Sequence, residues 1–428
     1  MSGVILGWPL VATKRGAGFI GEAAAARPDR RRHERPVTDA SEAHTLVVAP
    51  TGSGKGRSLV LPNLLHWPHS AIVVDIKGEA ALTTARYRRS LGQRVVVLDP
   101  FHRVSQGEEG LNPMDWLAGS PEHLGDNATT LAETLSGGTA NLKDPFWDHA
   151  ANDFIAGLIA LAATDPDPAR RTLGRVYDIL TSDNPAYEVA VLLDTLKDMP
   201  AFARRHLAAY CNHEAEKVRT SVTSTAQQHL RLFASPLVQQ SVARTTMDLG
   251  ALLRGEPVTI YLVMPATRLL SHAALLRIWL SVLLGTFAER RHKPLAPTLL
   301  IVDELAQIGG LPLILQALTL LRGYGLRVMA IVQSLAQLRS MWPTDHQTIV
   351  DNCGTVVTFG QVRATMAAPM AELLGDIGTE ALMRLPADHA IVNRTGRGSI
   401  EVRKLDYLAD PMFEGRFDPN PFYGLASG

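Results

Sequence analysis

The stretch Ala49-Pro50-Thr51-Gly52-Ser53-Gly54-Lys55-Gly56 most constrains what this chain can fold into, because it joins the apolar run Thr45-Leu46-Val47-Val48 to Ser58-Leu59-Val60-Leu61. A strand, a glycine-rich turn and a helix start, in that order, form the context of a phosphate loop. Gly52 and Gly54 allow the backbone to curl so that consecutive N–H groups converge on an anion at the positive end of the following helix. Lys55 adds a mobile positive charge for the outer phosphates. The candidate phosphate-binding residues are therefore Pro50, Thr51, Gly52, Ser53, Gly54, Lys55, Gly56 and Arg57. Two positions depart from G-x-x-x-x-G-K-[ST]. Ala49 replaces the first glycine, and Gly56 replaces the hydroxyl residue that ordinarily touches Mg²⁺, leaving Ser58 as a weak substitute.

Further along, Ala71-Ile72-Val73-Val74 ends at Asp75, and Arg94-Val95-Val96-Val97-Leu98 ends at Asp99. Apolar runs without polar alternation, separated by helical stretches, mark strands of a parallel sheet covered on both faces. Asp75 and Asp99 then stand at strand C-termini, where ligands of open α/β sheets bind, although an Asp there serves equally as a helix cap or turn residue. Pro62, inside the helix that follows the phosphate loop, predicts a kink. From Pro121 to about Ala243 helical periodicity replaces strand texture, over 124–135, 146–163, 173–180, 187–196, 202–210 and 218–233. Asp144-Pro145 reads as an N-cap followed by proline at the first helical position. His149, His206, His213 and His229 show no metal-ligand spacing and read as satisfied or solvent-facing side chains.

Strand texture resumes over Val258–Val263, so the helical block is an insertion that splits one α/β unit. The run Thr298-Leu299-Leu300-Ile301-Val302 then ends in Asp303-Glu304, a Walker B arrangement. Asp303 would hold Mg²⁺, usually through its water shell, and Glu304 would orient the water that attacks a γ-phosphate. A phosphate loop and such a carboxylate pair on alternating α/β texture point jointly to a nucleotide hydrolase. A helix from Pro312 through Leu321, closed by Gly323 and Gly325, leads into the strand Leu326–Val332, which delivers Gln333 beside Asp303 and Glu304 to sense the γ-phosphate. Arg322, at the far end of that helix, could reach a neighbouring subunit's nucleotide or simply complement the helix dipole. Val356–Phe359 and Ala390–Val392 read as closing strands. After Asp406 the Pro- and Gly-rich chain is expected to fray.

At 428 residues the chain exceeds the roughly 250–300 residues at which single cores stop growing, so two domains are expected. Lys+Arg 42 against Asp+Glu 42 leaves no net field, and any polyanion must meet a local patch. Arg27, Arg30, Arg31, Arg32, His33 and Arg35 form one basic cluster, read as a solvated linker rather than a nucleic-acid or lipid contact. Cys211 and Cys353 offer neither a disulfide framework nor a zinc ribbon, which suits a reducing cytoplasm. The best apolar run, Ile278 to Ala288, falls short of the roughly 18–20 residues of a membrane span and reads as a buried helix. Val4–Leu10 has its charges, Lys14 and Arg15, behind it, the reverse of a signal peptide.

Together with the phosphate loop, Asp75-Ile76-Lys77-Gly78-Glu79, Leu111-Asn112-Pro113-Met114, Asp303-Glu304-Leu305-Ala306, Gly323-Tyr324-Gly325, Gln333-Ser334-Leu335-Ala336-Gln337-Leu338 and Asn352-Cys353-Gly354 resemble the type IV coupling proteins. These are ATPases that link a DNA–relaxase substrate to a type IV secretion channel in bacterial conjugation. The resemblance runs from Gly3 to about Tyr407. It implies an α/β fold: a RecA-like P-loop nucleotide-binding domain with a central, mostly parallel twisted sheet, interrupted by an inserted all-α domain. The expected boundaries are an N-terminal strand and basic linker over 1–43, nucleotide-binding segments over 44–120 and 244–408, the insertion over 121–243, and a C-terminal tail over 409–428. The resemblance further implies ring-shaped homo-hexamers with ATP and Mg²⁺ between subunits. Lys55, Glu304, Gln333 and Arg322 carry over as catalytic residues, and Asp303 as the Mg²⁺ ligand, with Ser58 the weak hydroxyl. The implied partners are single-stranded DNA, a relaxase-type protein and channel components at the cytoplasmic face of the bacterial inner membrane. Most members carry transmembrane helices ahead of the equivalent of Gly3, and this sequence shows none there, so the expectation is that a partner supplies any membrane attachment, or that the chain is a soluble variant or a truncated copy. Two rival readings are a nucleotide-binding substrate receptor without motor activity and a DNA-pumping translocase of the cell-division type. The Gln333–Leu338 stretch and the helical insertion argue against the second.

Overall fold

The apolar runs assemble into one sheet in a computed structural model that describes residues 3–10, 35–119, 121–137, 145–213, 215–308, 312–361 and 363–423. Among the described residues its strands are β1 (Val4–Pro9), β2 (Val37–Asp39), β3 (Thr45–Val48), β4 (Ala71–Asp75), β5 (Arg94–Leu98), β6 (Val258–Val263), β7 (Thr298–Val302), β8 (Leu326–Val332), β9 (Thr355–Phe359), β10 (His389–Arg394) and β11 (Gly398–Arg403). Their order in space is β2-β1-β11-β10-β9-β3-β8-β7-β4-β6-β5. From β9 to β5 every neighbouring pair is parallel. From β9 outward, β10, β11, β1 and β2 pair antiparallel.

Successive residues of a strand point to opposite sides, and here both sides are covered, which is why the parallel strands carry no polar alternation. Leu46, Ile72, Val74, Val96, Leu300 and Val328 pack against the helical block on one face. Val47, Val73, Val95, Ile301 and Ile331 pack on the other against β1, the helices over 56–66 and 79–90, and the C-terminal segment. The helix Leu269–Ala288 has the length and hydropathy of a membrane span, yet Leu276, Trp279, Leu283 and Phe287 are sealed inside the fold. It is a core helix, longer at its N-terminus than the run Ile278–Ala288.

Between β5 and β6 the regular elements among the described residues are all helical, from Pro113–Gly119 to Leu249–Arg254. Phe146–Ala163 and Leu173–Leu180 coincide with the periodic segments. Pro145 takes the N-cap position rather than the first helical one, and Asp144 lies outside the described residues. His206 and His229 face Asp153 and Asp148 at 3.9 and 3.3 Å. Most of the basic cluster, Arg27 to His33, also lies outside the described residues.

Two expectations are corrected by the structure. Pro62 does not fall in a helix interior: a π-helical turn over Gly56–Val60 precedes the α-helix Leu61–His66 and places Pro62 in its first turn, with Leu61 N–H donating to the Gly56 carbonyl. The wider turn relieves the clash between a proline ring and the carbonyl four residues back. Nor does the chain fray after Asp406. Asp410 accepts the Trp8 indole N–H at 2.7 Å, Phe413 is fully buried, and the amide of Asn420 donates to Glu79 Oε1 at 2.8 Å. Pro and Gly break helices and strands, so local pattern suggested looseness, whereas tertiary contacts hold the segment against the helix Glu79–Ser90. Strands β2 and β11 were likewise invisible in the pattern, β11 because four of its six residues carry polar or charged side chains or none.

If the C-terminal segment is a packed part of the core, Phe413→Ala should cost about 3–5 kcal/mol. Denaturant unfolding would check this, and a midpoint unmoved from the parent would mean the segment is detached in solution.

Candidate functional site

Because β3, β8, β7 and β4 are parallel neighbours, the segments leaving their C-terminal ends lie side by side. The phosphate-loop stretch leaves β3, Gln333 leaves β8, Asp303-Glu304 leaves β7, and Asp75 to Glu79 leaves β4. Residues some hundreds of positions apart in sequence thus share one edge of the sheet.

The loop is fixed at its root by Ala49 N–H donating to the Val332 carbonyl at 2.9 Å, which extends the β3–β8 pairing. Gly52 and Gly54 have φ of 78° and 85°, the left-handed region that side chains disfavour. No atom lies within 4 Å of where a Cβ on Gly52 would be, so backbone conformation and not crowding demands the glycine, and the space above it is open. Ser53 Oγ is buried without a hydrogen-bond partner. Lys55 Nζ lies 3.3 Å from Asp303 Oδ1 and donates to Glu304 Oε1.

Glu304 has a φ of 62°, one of two non-glycine residues in that region among those described. Such a conformation costs about 1–3 kcal/mol and tends to persist where surrounding contacts over-determine it. Here it turns the carboxylate toward both Lys55 and Gln333, whose Nε2 donates to Glu304 Oε2 at 2.7 Å. Gln333 is itself oriented, since its N–H donates to Gln337 Oε1 at 2.8 Å. Ser334 caps the helix Leu335–Met341 by accepting from Gln337 N–H. Ser334-x-x-Gln337 is a capping-box pattern, so the orienting role of Gln337 had a sequence signal that went unread.

The same edge is rich in carboxylates. Burial raises the pKa of Asp303, partly opposed by the Lys55 charge. Burial also raises Glu79, opposed by the Asn420 hydrogen bond. Asp75, 5% exposed, is pushed up to about 7, by burial first and then by Asp303 and Glu79. Among the described residues no three His, Cys, Asp or Glu side chains form a preformed metal cage. Mg²⁺ needs none, since it is usually held by one or two carboxylates together with substrate phosphates. The donors fit that use. Asp303 Oδ1 is buried and meets Lys55 Nζ at 3.3 Å with no closer donor, and Glu79 Oε1 and Oε2 lie 3.7 and 3.8 Å from where a Cβ on Gly56 would be, facing the place of the missing hydroxyl. Ser58 Oγ lies against Gly54 instead.

Not every candidate converges here. Arg57 directs its guanidinium to Asp406, at 2.5 and 2.7 Å, and leaves only its backbone to the loop. Pro50 and Thr51 lie at the solvent-facing rim of the loop. Asp99 organises its own turn, accepting from the N–H groups of Arg103, Val104 and Ser105. Arg322 is exposed at the opposite edge, beside the N-terminal ends of β3, β8 and β9. Contacts with no local sequence signal brace the loop from behind: Lys404 Nζ donates to the Ser53 carbonyl at 3.0 Å, and Tyr407 N–H to the Arg57 carbonyl.

The family model described as type IV secretory system conjugative DNA transfer matches residues 18–383. Protein VirD4 of Agrobacterium fabrum (strain C58) is 29% identical over 424 residues, 89% of this chain and 61% of its own length. The conjugal transfer protein TraG of Escherichia coli is 26% identical over 353 residues, 78% of this chain and 55% of its own. The chain therefore spans little more than half the length of these relatives. Among solved structures, the bacterial conjugative coupling protein TrwBdeltaN70 in complex with sulphate superposes with a TM-score of 0.65 at 19% identity, covering 85% of this chain and 86% of its own. TrwB in complex with ADP and Mg²⁺ gives 0.62 at 17%, covering 87% of each. The fold is thus that of the coupling proteins, an α/β nucleotide-binding architecture with a mostly parallel sheet.

The buried carboxylates carry a pH signature. Folded Asp75 keeps its proton up to about pH 7 while the unfolded group ionises near 3.8, so the unfolded state binds fewer protons and stability falls as pH rises across that window. Asp75→Asn preserves an acceptor for Ala81 N–H and should remove a decline of roughly 2–4 kcal/mol. Urea unfolding at a series of pH values measures it, and the same slope in parent and variant would place the titration elsewhere.

Proposed function

The chain belongs to the type IV secretory system conjugative DNA transfer family, and from that premise we propose that it is an ATP-hydrolysing coupling protein which engages DNA or a DNA–relaxase complex and passes it to a type IV secretion channel. The observation that carries this reading is the convergence of Lys55, Asp303, Glu304 and Gln333 on one open glycine loop. Nucleotide and Mg²⁺ complexes of the TrwB neighbour support the choice of ligand.

Bound ATP with Mg²⁺ would supply the scissile phosphoanhydride and neutralise part of its charge. The N–H groups of Gly52 to Gly56 cradle the phosphates, and Lys55 exchanges its carboxylate partners for phosphate oxygens. Release from Lys55 frees Glu304, already turned into the site by its backbone, to accept a hydrogen bond from the attacking water and orient it. Gln333 donates to Glu304 and heads a capped helix, so a change at that carboxylate reaches the helix Leu335–Met341 directly. Asp303, with Glu79 across Gly56, holds the cation side of the site. Arg322 cannot join its own chain's loop from the far edge of the sheet and acts on the site of the next copy in a hexameric ring.

ATP turnover should be measured with and without single-stranded DNA. Lys55→Ala should lower it by at least about 100-fold. Glu304→Gln should bind a fluorescent ATP analogue as the parent does yet turn over about 100-fold more slowly. Undiminished turnover in Glu304→Gln would displace it as the water-orienting group. Absent turnover in the parent, with relaxase binding intact, would favour a receptor whose nucleotide serves assembly only.

A further inference from the structure

Ser53 stands between two glycines of the phosphate loop, and the peptide that joins it to Gly54 has little of its own to fix it. Glycine takes positive and negative φ about equally, so Gly54, here at φ of 85°, lets that peptide turn either way. Gly52, at 78°, gives the same freedom on the other side. The Ser53 side chain adds no restraint, since its Oγ is buried without a hydrogen-bond partner. A trans peptide directs its C=O and N–H to opposite sides of the chain. Whichever way the Ser53 carbonyl turns, Gly54 N–H turns the other, and an anion-binding loop needs that N–H aimed at the anion.

A side chain from outside the loop selects the direction. Lys404 Nζ donates to the Ser53 carbonyl at 3.0 Å and to the Ala387 carbonyl at 2.8 Å. It also lies 3.9 Å from the centroid of the Phe359 ring, so two carbonyls and a ring face account for the three donors of the ammonium. Its root is fixed as well, because Lys404 N–H donates to the Asp388 carbonyl at 2.7 Å, next to the β10–β11 pairing of His389 with Arg403. The side chain is 9% exposed, and burial presses it down to about 8, opposed by the Asp388 charge. The other charged groups nearby are engaged elsewhere: Arg403 with Asp410 at 3.7 Å, and Asp406 with Arg57 at 2.5 Å. Burying an ammonium costs free energy that an apolar side chain over Phe359 would not, so the two carbonyls are the reason for a cation here. Lys404 also lies beyond residue 383, where the match to the family model ends.

We infer that Lys404 is a positioning residue of the nucleotide site, which holds the Ser53–Gly54 peptide with its N–H toward the phosphates and so sets the affinity of the loop for a nucleotide polyphosphate. The inference rests on the nucleotide-binding part of the reading above and extends it to the hairpin β10–β11. Lys404 touches no reacting atom and acts through Gly54. Because the same ammonium bonds Ala387, in the turn before β10, the loop keeps its shape only while that hairpin is docked.

Two variants test it. Lys404→Met keeps the stem over Phe359 and removes the donors. Its affinity for a fluorescent ATP analogue at pH 7 should fall about tenfold. The KM for ATP should rise by as much while kcat stays within about threefold of the parent, as for an interaction made equally in ground and transition states. Lys404→Arg keeps a cationic donor that does not titrate, which gives a readout that a merely structural lysine would not move. Analogue affinity in the parent should be full below about pH 8 and decline as Lys404 loses its proton and the charge-assisted bond weakens. Between pH 7 and pH 9.5 the parent should therefore lose about tenfold more affinity than Lys404→Arg. Other titrating groups, Asp75 at about 7 among them, are common to both proteins and cancel in the comparison. Should Lys404→Met melt below the parent, the comparison of pH profiles decides alone. Unchanged affinity in Lys404→Met, a loss confined to kcat, or coincident pH profiles in parent and Lys404→Arg each overturn the inference and leave the ATPase reading standing. A parent that binds no analogue at any pH overturns both.

Discussion

The contact of Lys55 with Asp303 and Glu304 is the interaction on which the rest of the molecule depends. The strands beneath it are apolar on both faces, so polar chemistry can emerge only at their ends. A parallel sheet sends all of its C-terminal ends to one edge, which concentrates the loop, the acidic tip and Gln333 in one place. The position of β8 between β3 and β7 then sets the spacing. Gln333 reaches Glu304 from one side, Lys55 reaches it from the other, and the left-handed backbone of Glu304 stores the strain that keeps it available to both.

That loop is not self-supporting. Its rear is held by the C-terminal segment, through Lys404 on the Ser53 carbonyl, Asp406 on Arg57 and Asn420 on Glu79. Burial presses Lys404 down to about 8, and it lies over the Phe359 ring at 3.9 Å, so a partly desolvated ammonium is spent on backbone carbonyls. The cost is repaid in geometry, because an anion-binding loop works only while its N–H groups stay aligned. The shape of the site and the stability of the C-terminal segment are therefore one property.

Charge in this chain is balanced in total but divided in space. Carboxylates gather at the C-terminal edge of the parallel strands, and unpaired arginines at the edge behind. A formal net charge of zero is the expected sum of such an arrangement and says nothing against a polyanionic partner.

Much of this was legible in the residues themselves. The run into Gly52 and Gly54, the apolar strands ending at Asp75, Asp303 and Gln333, and the helices from Phe146 and Leu173 all follow from backbone freedom and side-chain period, which are properties of near neighbours in sequence. The partner of Arg57, the carboxylate facing Gly56, the turn of Glu304 and the docking of Phe413 and Asn420 are not of that kind. Each depends on which distant segments are brought together, and a strand's own residues state how it folds but not which strand it lies beside. The sequence by itself determined the parts and their chemistry. The tertiary structure decided the strand order, and with it which charges meet and which are left facing outward, because pairing energy belongs to two segments at once.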